Sequence, residues 1–123
     1  MKILLVDDDI FLRDMYATKF LECGHQVTPA VHAADALRIL ETDQGFDLML
    51  VDMIMPGMTG VELMTEIKNV FPDISMKSIV LSNQGQDQDI EEANVAGAIG
   101  YIIKAQSVPS EVVKRVEEIM SAK

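Results

Sequence analysis

The residues with the clearest chemical potential are aspartates that follow two apolar runs. Asp52 ends the run Leu48–Val51 and opens a turn. The run Ile3–Val6 ends in the same way, in Asp7–Asp9. A carboxylate at the mouth of a buried strand costs desolvation energy unless a partner pairs with it or uses it. Two strands that bring acids to one edge of a sheet therefore predict an oxygen-rich pocket suited to a hard divalent cation.

Two further apolar runs also end in polar residues. Ser82 closes a run that begins at residue 78, and Lys104 follows the run Ile99–Ile103. Each has a simpler explanation when taken alone, because serines at strand ends and solvated lysines are common. Asp52 alone could be a turn residue, and Asp7–Asp9 could simply begin a helix. Since these simpler explanations would have to coincide several times, a functional cluster is favoured.

Strand and helix patterns alternate along the chain, and they predict how these polar residues are positioned. Asp9 is predicted to cap the first helix and is left out of the pocket. Pro29 marks the second strand as an edge strand, because proline removes a ladder donor. The predicted strands are Lys2–Val6, Gln26–Ala30, Asp47–Val51, Ser78–Ser82 and Ile99–Ile103. The predicted helices are Ile10–Cys23, Ala33–Glu41, Val61–Val70, Gln88–Ala96 and Pro109–Met120.

Five such units in one chain predict a doubly wound α/β fold, a parallel sheet covered by helices on both faces. Right-handed crossovers place the carboxyl ends of all strands at one edge, where ligands bind in such sheets. The predicted pocket lies at this edge.

Length and composition fit one globular domain and exclude several classes of partner. The chain has 123 residues, of which 49% are hydrophobic, and its formal net charge is −10. An acidic surface repels phosphate backbones, so direct nucleic-acid binding is not expected. No apolar stretch is long enough for a membrane span, and no signal peptide is visible. Cys23 is expected to be a small packing residue, and His25 and His32 are expected to be exposed without a role.

The order and spacing of the polar motifs resemble the receiver domain of two-component response regulators. The resemblance covers the whole chain, so one receiver domain is expected over residues 1–123. It implies a five-stranded sheet of order 2-1-3-4-5, flavodoxin-like, in three α/β/α layers. The motifs that carry it are Val6-Asp7-Asp8-Asp9, Val51-Asp52-Met53-Ile54-Met55-Pro56-Gly57, Leu81-Ser82 and Gly100-Tyr101-Ile102-Ile103-Lys104.

The resemblance implies that Asp52 is a nucleophile that accepts a phosphoryl group. The donor would be a phosphohistidine on a histidine kinase or a phosphotransfer protein. Asp7, Asp8 and Asp52 would hold one Mg²⁺, with the backbone carbonyl of Ile54 as a further ligand. The chemistry is reasonable, since in-line phosphoryl transfer depends mainly on positioning and charge neutralisation.

The resemblance also assigns the remaining polar strand ends. Lys104 would pair with a phosphoryl oxygen, and Ser82 would donate a hydrogen bond to the phosphoryl group once it is present. Ser82 and Tyr101 would link the chemistry to the face formed by the fourth helix, fifth strand and fifth helix, where a downstream protein would bind. One departure is Ala105, which stands where the family usually has proline. A trans peptide bond is therefore expected after Lys104, because a cis bond before a non-proline residue costs ~2.5–4 kcal/mol.

Several functional details follow as expectations. An apolar side chain at Ile54 cannot position attacking water, so a long-lived acyl phosphate is expected. A cytoplasmic location is expected, and both a monomer and a phosphorylation-dependent homodimer remain open.

Three other classes of protein are alternatives to a phosphorylated switch that turns over no external substrate. A degenerate receiver would bind partners constitutively, and the intact acids argue against it. A phosphatase with an aspartyl nucleophile would be similar to the haloacid dehalogenase type, but Asp52 has no acid two residues on. A flavodoxin-like flavin carrier would need a hydroxyl- and glycine-rich loop where this chain has aspartates, which repel a flavin phosphate.

Overall fold

Strands and helices alternate along residues 1–122, the part of the chain that this computed structural model describes. The strands are β1 (Lys2–Val6), β2 (Gln26–Ala30), β3 (Leu48–Val51), β4 (Lys77–Ser82) and β5 (Gly100–Ile103). The helices are α1 (Ile10–Glu22), α2 (Ala33–Thr42), α3 (Gly60–Val70), α4 (Asp87–Val95) and α5 (Pro109–Ser121). A 3₁₀ turn, Lys104–Gln106, lies between β5 and α5 and was not predicted. Within residues 1–122 no helix has the length and apolar character needed to cross a membrane.

The strands form one parallel sheet of order β2-β1-β3-β4-β5, which confirms the predicted fold class and topology. The register pairs Val6 with Val51, so the residues that follow β1 and β3 emerge side by side. Pro29 pairs with Leu5 in the edge strand β2, as predicted. The reversal of strand order between β1 and β3 opens a crevice at the carboxyl edge, where ligands bind in sheets of this kind.

Each face of the sheet carries its own hydrophobic core. Alternate residues of a strand point to opposite faces. Leu4 therefore packs with the buried side chains of α2 and α3, whereas Leu5 packs with those of α1 and α5. Because β1 and β3 are covered on both faces, all of β3 and all of β1 after Lys2 are continuous apolar runs, as a buried parallel sheet requires. The central strands are thus rigid supports for the residues that follow them.

Side-chain caps hold the two helices that follow the acid-bearing strands. Asp9 accepts a hydrogen bond from the Leu12 N–H at 3.1 Å, which confirms its predicted role as the cap of α1. At α3, Thr59 accepts from the Glu62 N–H at 3.1 Å, and the Glu62 carboxylate accepts from the Thr59 N–H at 2.9 Å. This reciprocal capping box satisfies two donors at the helix terminus. The loops that carry the acids are therefore fixed at both ends.

Predictions for the residues around the end of α1 were wrong. Cys23 is exposed instead of packed, because the chain turns at Gly24, which has a φ of 89°. His25 is half-buried instead of exposed. Its Nδ1 lies 2.9 Å from the amino terminus of Met1, and its Nε2 lies 2.8 Å from the Glu117 carboxylate. His32, expected to be exposed, is also half-buried. Because Met1 and Glu117 are far from His25 in the sequence, no local sequence pattern predicts these contacts.

The first residue of α3 packs directly on the backbone that precedes it. Gly60 is buried, and its N–H donates to the Met53 carbonyl at 2.9 Å. A Cβ atom at this position would overlap the backbone carbonyl of Asp52. Only glycine therefore allows α3 to approach Asp52 this closely.

Replacing Gly60 by alanine is expected to destabilise the fold. The overlap forces a backbone shift, and overpacking of this kind typically costs ~1–3 kcal/mol. Urea denaturation should show this loss in the free energy of unfolding for Gly60→Ala. Thr65→Ala, an exposed change in the same helix, is the matched control and should stay within about 0.5 kcal/mol of the unaltered chain. Equal stabilities for the two variants would contradict the close approach.

Candidate functional site

Three acids meet at the carboxyl edge of the sheet. Asp7 follows β1, Asp8 follows Asp7, and Asp52 follows β3. One carboxylate oxygen of each lies within 4.8 Å of the others. Asp7 is buried, Asp52 is half-buried and Asp8 is exposed, so the group forms a pocket that is open on one side. The structure thus brings together the three acids that the sequence singled out.

Lys104 reaches this pocket from the end of β5 and joins two of the acids. Its Nζ lies 2.6 Å from Asp7 Oδ2 and 2.9 Å from Asp52 Oδ2. The lysine is only 8% exposed, so both ion pairs are shielded from solvent. Breaking a buried pair by removal of one partner typically costs ~3–5 kcal/mol, because a charge is left uncompensated.

The protonation of this group reflects competition between burial and pairing. Burial would lower the pKa of Lys104, but hydrogen bonds to Asp7 and Asp52 outweigh it and raise the pKa above its ordinary value. Lys104 is therefore a cation at neutral pH. Burial raises the pKa of Asp7, although the hydrogen bond from Lys104 opposes the rise and the charge of Asp52 adds to it. Three carboxylates against one ammonium leave an excess of negative charge.

This donor set fits a hard divalent cation. Carboxylate oxygens are the ligands that Mg²⁺ prefers, and the ion retains waters that would face the open side of the pocket. Each carboxylate oxygen can accept more than one interaction, so the bonds to Lys104 leave lone pairs for a metal. The peptide N–H of Ile54 donates to Asp52 Oδ1 at 3.3 Å, which fixes the start of the turn that carries the Ile54 carbonyl.

Ser82 contacts Asp52 directly, which the sequence did not reveal. Its hydroxyl donates to Asp52 Oδ1 at 2.8 Å and accepts from the Gln84 N–H at 3.3 Å. Ser82 is buried at the end of β4. The expected bond to a phosphoryl group would therefore require the hydroxyl to turn away from Asp52.

Tyr101 is tied to the same loop as Ser82. Its hydroxyl donates to the backbone carbonyl of Gln84. Burial raises the pKa of Tyr101 to about 12, with smaller effects from the charges of Asp89 and Asp52. The phenol therefore stays protonated and remains a donor. Asp52 is thus connected to Tyr101 through the Ser82 hydroxyl and the backbone of Gln84.

The backbone after Lys104 follows the expected course. Within residues 1–122 every peptide bond is trans, including the one between Lys104 and Ala105. The chain enters a 3₁₀ turn at Lys104 itself and begins α5 at Pro109. A trans bond in this loop is therefore compatible with an ammonium that reaches both acids.

An unpredicted contact comes from α1. Arg13 Nη1 donates to the backbone carbonyl of Asp7 at 3.1 Å. The only sequence signal is a basic residue one helical turn after Asp9, which many helices would place in solvent. Arg13 was for that reason not singled out.

Comparisons with known proteins agree with this geometry. The family model described as the response regulator receiver domain matches residues 3–117. Two-component response regulator PhoP of Pseudomonas aeruginosa is 35% identical over 85% of this chain and 45% of that protein. Sporulation initiation phosphotransferase F of Bacillus subtilis is 33% identical over 84% of this chain and 81% of that protein. The chain thus spans about half the length of PhoP but most of the second relative.

Solved structures show the same likeness. A CheY-like receiver domain protein from Methanospirillum hungatei superposes with a TM-score of 0.86 at 28% identity, over 98% of this chain and 94% of that one. The family model, the relatives and the convergence of acids at the carboxyl edge all lead to one conclusion: the chain belongs to the receiver domains of two-component response regulators.

Proposed function

We propose that this chain is a cytoplasmic signalling switch controlled by phosphorylation of Asp52. The donor is a histidine kinase or a phosphotransfer protein, and the output is altered binding of a downstream protein. The observation that carries the proposal is the meeting of Lys104 with Asp7 and Asp52 in one shielded cluster. The chain catalyses its own phosphoryl transfer and turns over no external substrate.

The chemistry is an in-line displacement at phosphorus. A carboxylate oxygen of Asp52 forms the new P–O bond as the P–N bond to the donor imidazole breaks, and the imidazole nitrogen keeps the electron pair. A carboxylate needs no prior deprotonation at neutral pH, so positioning and charge neutralisation remain as the main requirements. Lys104 places a cation 2.9 Å from Asp52 Oδ2, ready to pair with an oxygen of the transferred group.

A divalent cation would be held by Asp7, Asp8 and Asp52, with the Ile54 carbonyl as a further ligand. Bound Mg²⁺ would supply charge neutralisation for the incoming phosphoryl group. Asp8 is the exposed member of the acid group, so it faces the side from which the cation enters.

The effect of phosphorylation at Asp52 is transmitted through Ser82. A phosphoryl oxygen on Asp52 offers a new acceptor, and the Ser82 hydroxyl turns toward it. Since Ser82 also accepts from the Gln84 N–H, and the Gln84 carbonyl accepts from Tyr101, the change reaches the loop before α4 and the first residues of β5. The face formed by α4, β5 and α5 then shifts toward the conformer that binds the target.

Phosphorylation should be confined to Asp52. Incubation with acetyl phosphate and Mg²⁺ is expected to add one phosphoryl group by intact mass, and Asp52→Asn should remove this gain. Asp9→Asn is the matched control, because asparagine also caps helices and Asp9 lies outside the pocket. Continuous phosphate release would favour the aspartyl phosphatase, and no modification at all would favour the constitutive binding module.

The acyl phosphate is expected to be long-lived, with a half-life well beyond seconds. Ile54 is 59% exposed beside Asp52, and its apolar side chain offers no hydrogen bond to an attacking water. Ile54→Asn should shorten the lifetime, measured as decay of the phosphorylated mass in Mg²⁺. Val70→Asn, a change of another exposed apolar residue at the far end of α3, should leave the decay rate unchanged. A half-life of seconds in the unaltered chain would refute this expectation.

An exposed apolar patch beside the pocket fits the donor protein. It consists of Ile10, Phe11 and Met15 on α1, and Phe11 is 89% exposed. The side chains of Phe11 and Met15 line a groove closed by Pro109 at the start of α5. Because α1 begins directly after the acids, a protein that presents a phosphohistidine to Asp52 would cover this patch.

Phe11→Ala should therefore slow transfer from a protein donor without affecting the chemistry. Histidine kinases would first be screened for transfer to the unaltered chain, and the fastest would serve as donor. Loss of a central aromatic contact typically costs more than ~1 kcal/mol, which is several-fold in the transfer rate. The rate with acetyl phosphate should not change. Leu21→Ala, which removes a 56% exposed side chain at the other end of α1, is the control. Equal slowing with both donors would show an effect on Asp52 instead of docking.

A further inference from the structure

A single arginine holds the peptide unit that joins the first two acids. Arg13 Nη1 donates to the Asp7 carbonyl at 3.1 Å, and this carbonyl belongs to the peptide bond between Asp7 and Asp8. A peptide unit is planar, so the direction of its carbonyl fixes the direction of the following N–H and Cα. The guanidinium therefore influences the direction of the Asp8 Cα–Cβ bond.

The other hydrogen bonds of Asp7 hold the neighbouring peptide units and the side chain, and none of them reaches the Asp7 carbonyl. The Asp7 N–H donates to the Ala30 carbonyl at 3.1 Å, which anchors the preceding peptide unit. Its carboxylate accepts from the Asp9 N–H at 3.0 Å, which holds the Asp8–Asp9 peptide unit, and from Lys104 at 2.6 Å, which anchors the side chain. Among residues 1–122 the hydrogen bond to the carbonyl comes from Arg13.

The Arg13 side chain is half-buried and incompletely satisfied. Its Nε is buried and has no hydrogen-bond partner within residues 1–122. A buried donor without a partner costs free energy, so its position calls for another explanation. The guanidinium lies against the loop that carries the acids instead of pairing with a surface carboxylate. This placement suits a role in the cation site.

We propose that Arg13 is a positioning residue for the divalent-cation site: it orients the Asp7–Asp8 peptide so that the Asp8 carboxylate faces the ion. The inference rests on the proposed function, since it concerns the same cation. Asp7 and Asp52 are already fixed by Lys104, whereas Asp8 is exposed. Asp8 is therefore the ligand whose direction depends most on the backbone.

The test compares Mg²⁺ affinity with the mobility of one amide. Calorimetry would give the Mg²⁺ dissociation constant, and ¹⁵N relaxation would give the order of the Asp8 amide without metal. Arg13→Met should bind Mg²⁺ about 10-fold more weakly, the lower end of the range for residues that orient metal ligands. Its Asp8 amide should become more mobile. Arg13→Lys should recover part of the affinity, because an ammonium can still donate to the carbonyl. Arg38→Met, which removes an exposed arginine of α2, should match the unaltered chain.

Each outcome of this test supports or overturns the inference about Arg13, or rejects the proposed function. Unchanged Mg²⁺ affinity in Arg13→Met would overturn the inference. Weaker binding with an unchanged Asp8 amide would also overturn it, because the order of the Asp7–Asp8 peptide would then not depend on Arg13. Loss of the positive charge would by itself strengthen the binding of a cation. If Arg13→Met does not fold, Arg13→Gln replaces it with the same expected loss, because its side chain is too short to reach the carbonyl. Failure of the unaltered chain to bind Mg²⁺ would instead reject the proposed function.

Discussion

The arrangement depends on one buried ammonium between two carboxylates. Lys104 comes from the end of β5, and Asp7 and Asp52 come from β1 and β3, so three strands meet through one side chain. Without the lysine, two acids would face each other in a shielded crevice and repel. With the lysine in place, Asp7 and Asp52 lie close enough together to bind a cation. The same lysine thus links three strands and favours the ionised form of Asp7, because its hydrogen bond and charge oppose the rise in the pKa of that carboxyl.

Such a contact requires a framework that brings distant residues to the same place. The register of Val6 with Val51 sets Asp7 and Asp52 side by side, and β5 reaches them across β4. Separate cores on the two faces of the sheet keep these strands from shifting. The capped starts of α1 and α3 fix the loops that follow. The carboxyl edge of the sheet can remain partly open to solvent because the strands behind it are packed between two buried hydrophobic cores.

The strand order followed from resemblance, but the meeting of acids followed from the sequence pattern. In a parallel sheet the carboxyl ends of the strands lie at one edge, so two apolar runs that both end in aspartates predicted that Asp7, Asp8 and Asp52 meet. Proline in β2 indicated an edge for a similarly local reason. Contacts such as His25 with Glu117, or Arg13 with a backbone carbonyl, depend on the packed positions of helices. No spacing along the chain encodes them.

The Ser82 hydroxyl limits the ways in which the proposed switch could change state. Its oxygen accepts from the loop while its one proton is given to Asp52. A single proton serves one acceptor at a time, so a new acceptor competes with the old one and does not add to it. Intermediate arrangements leave a buried donor unsatisfied and are disfavoured. In the proposed switch, such a hydroxyl would favour two discrete states of each molecule over a continuous range of intermediates.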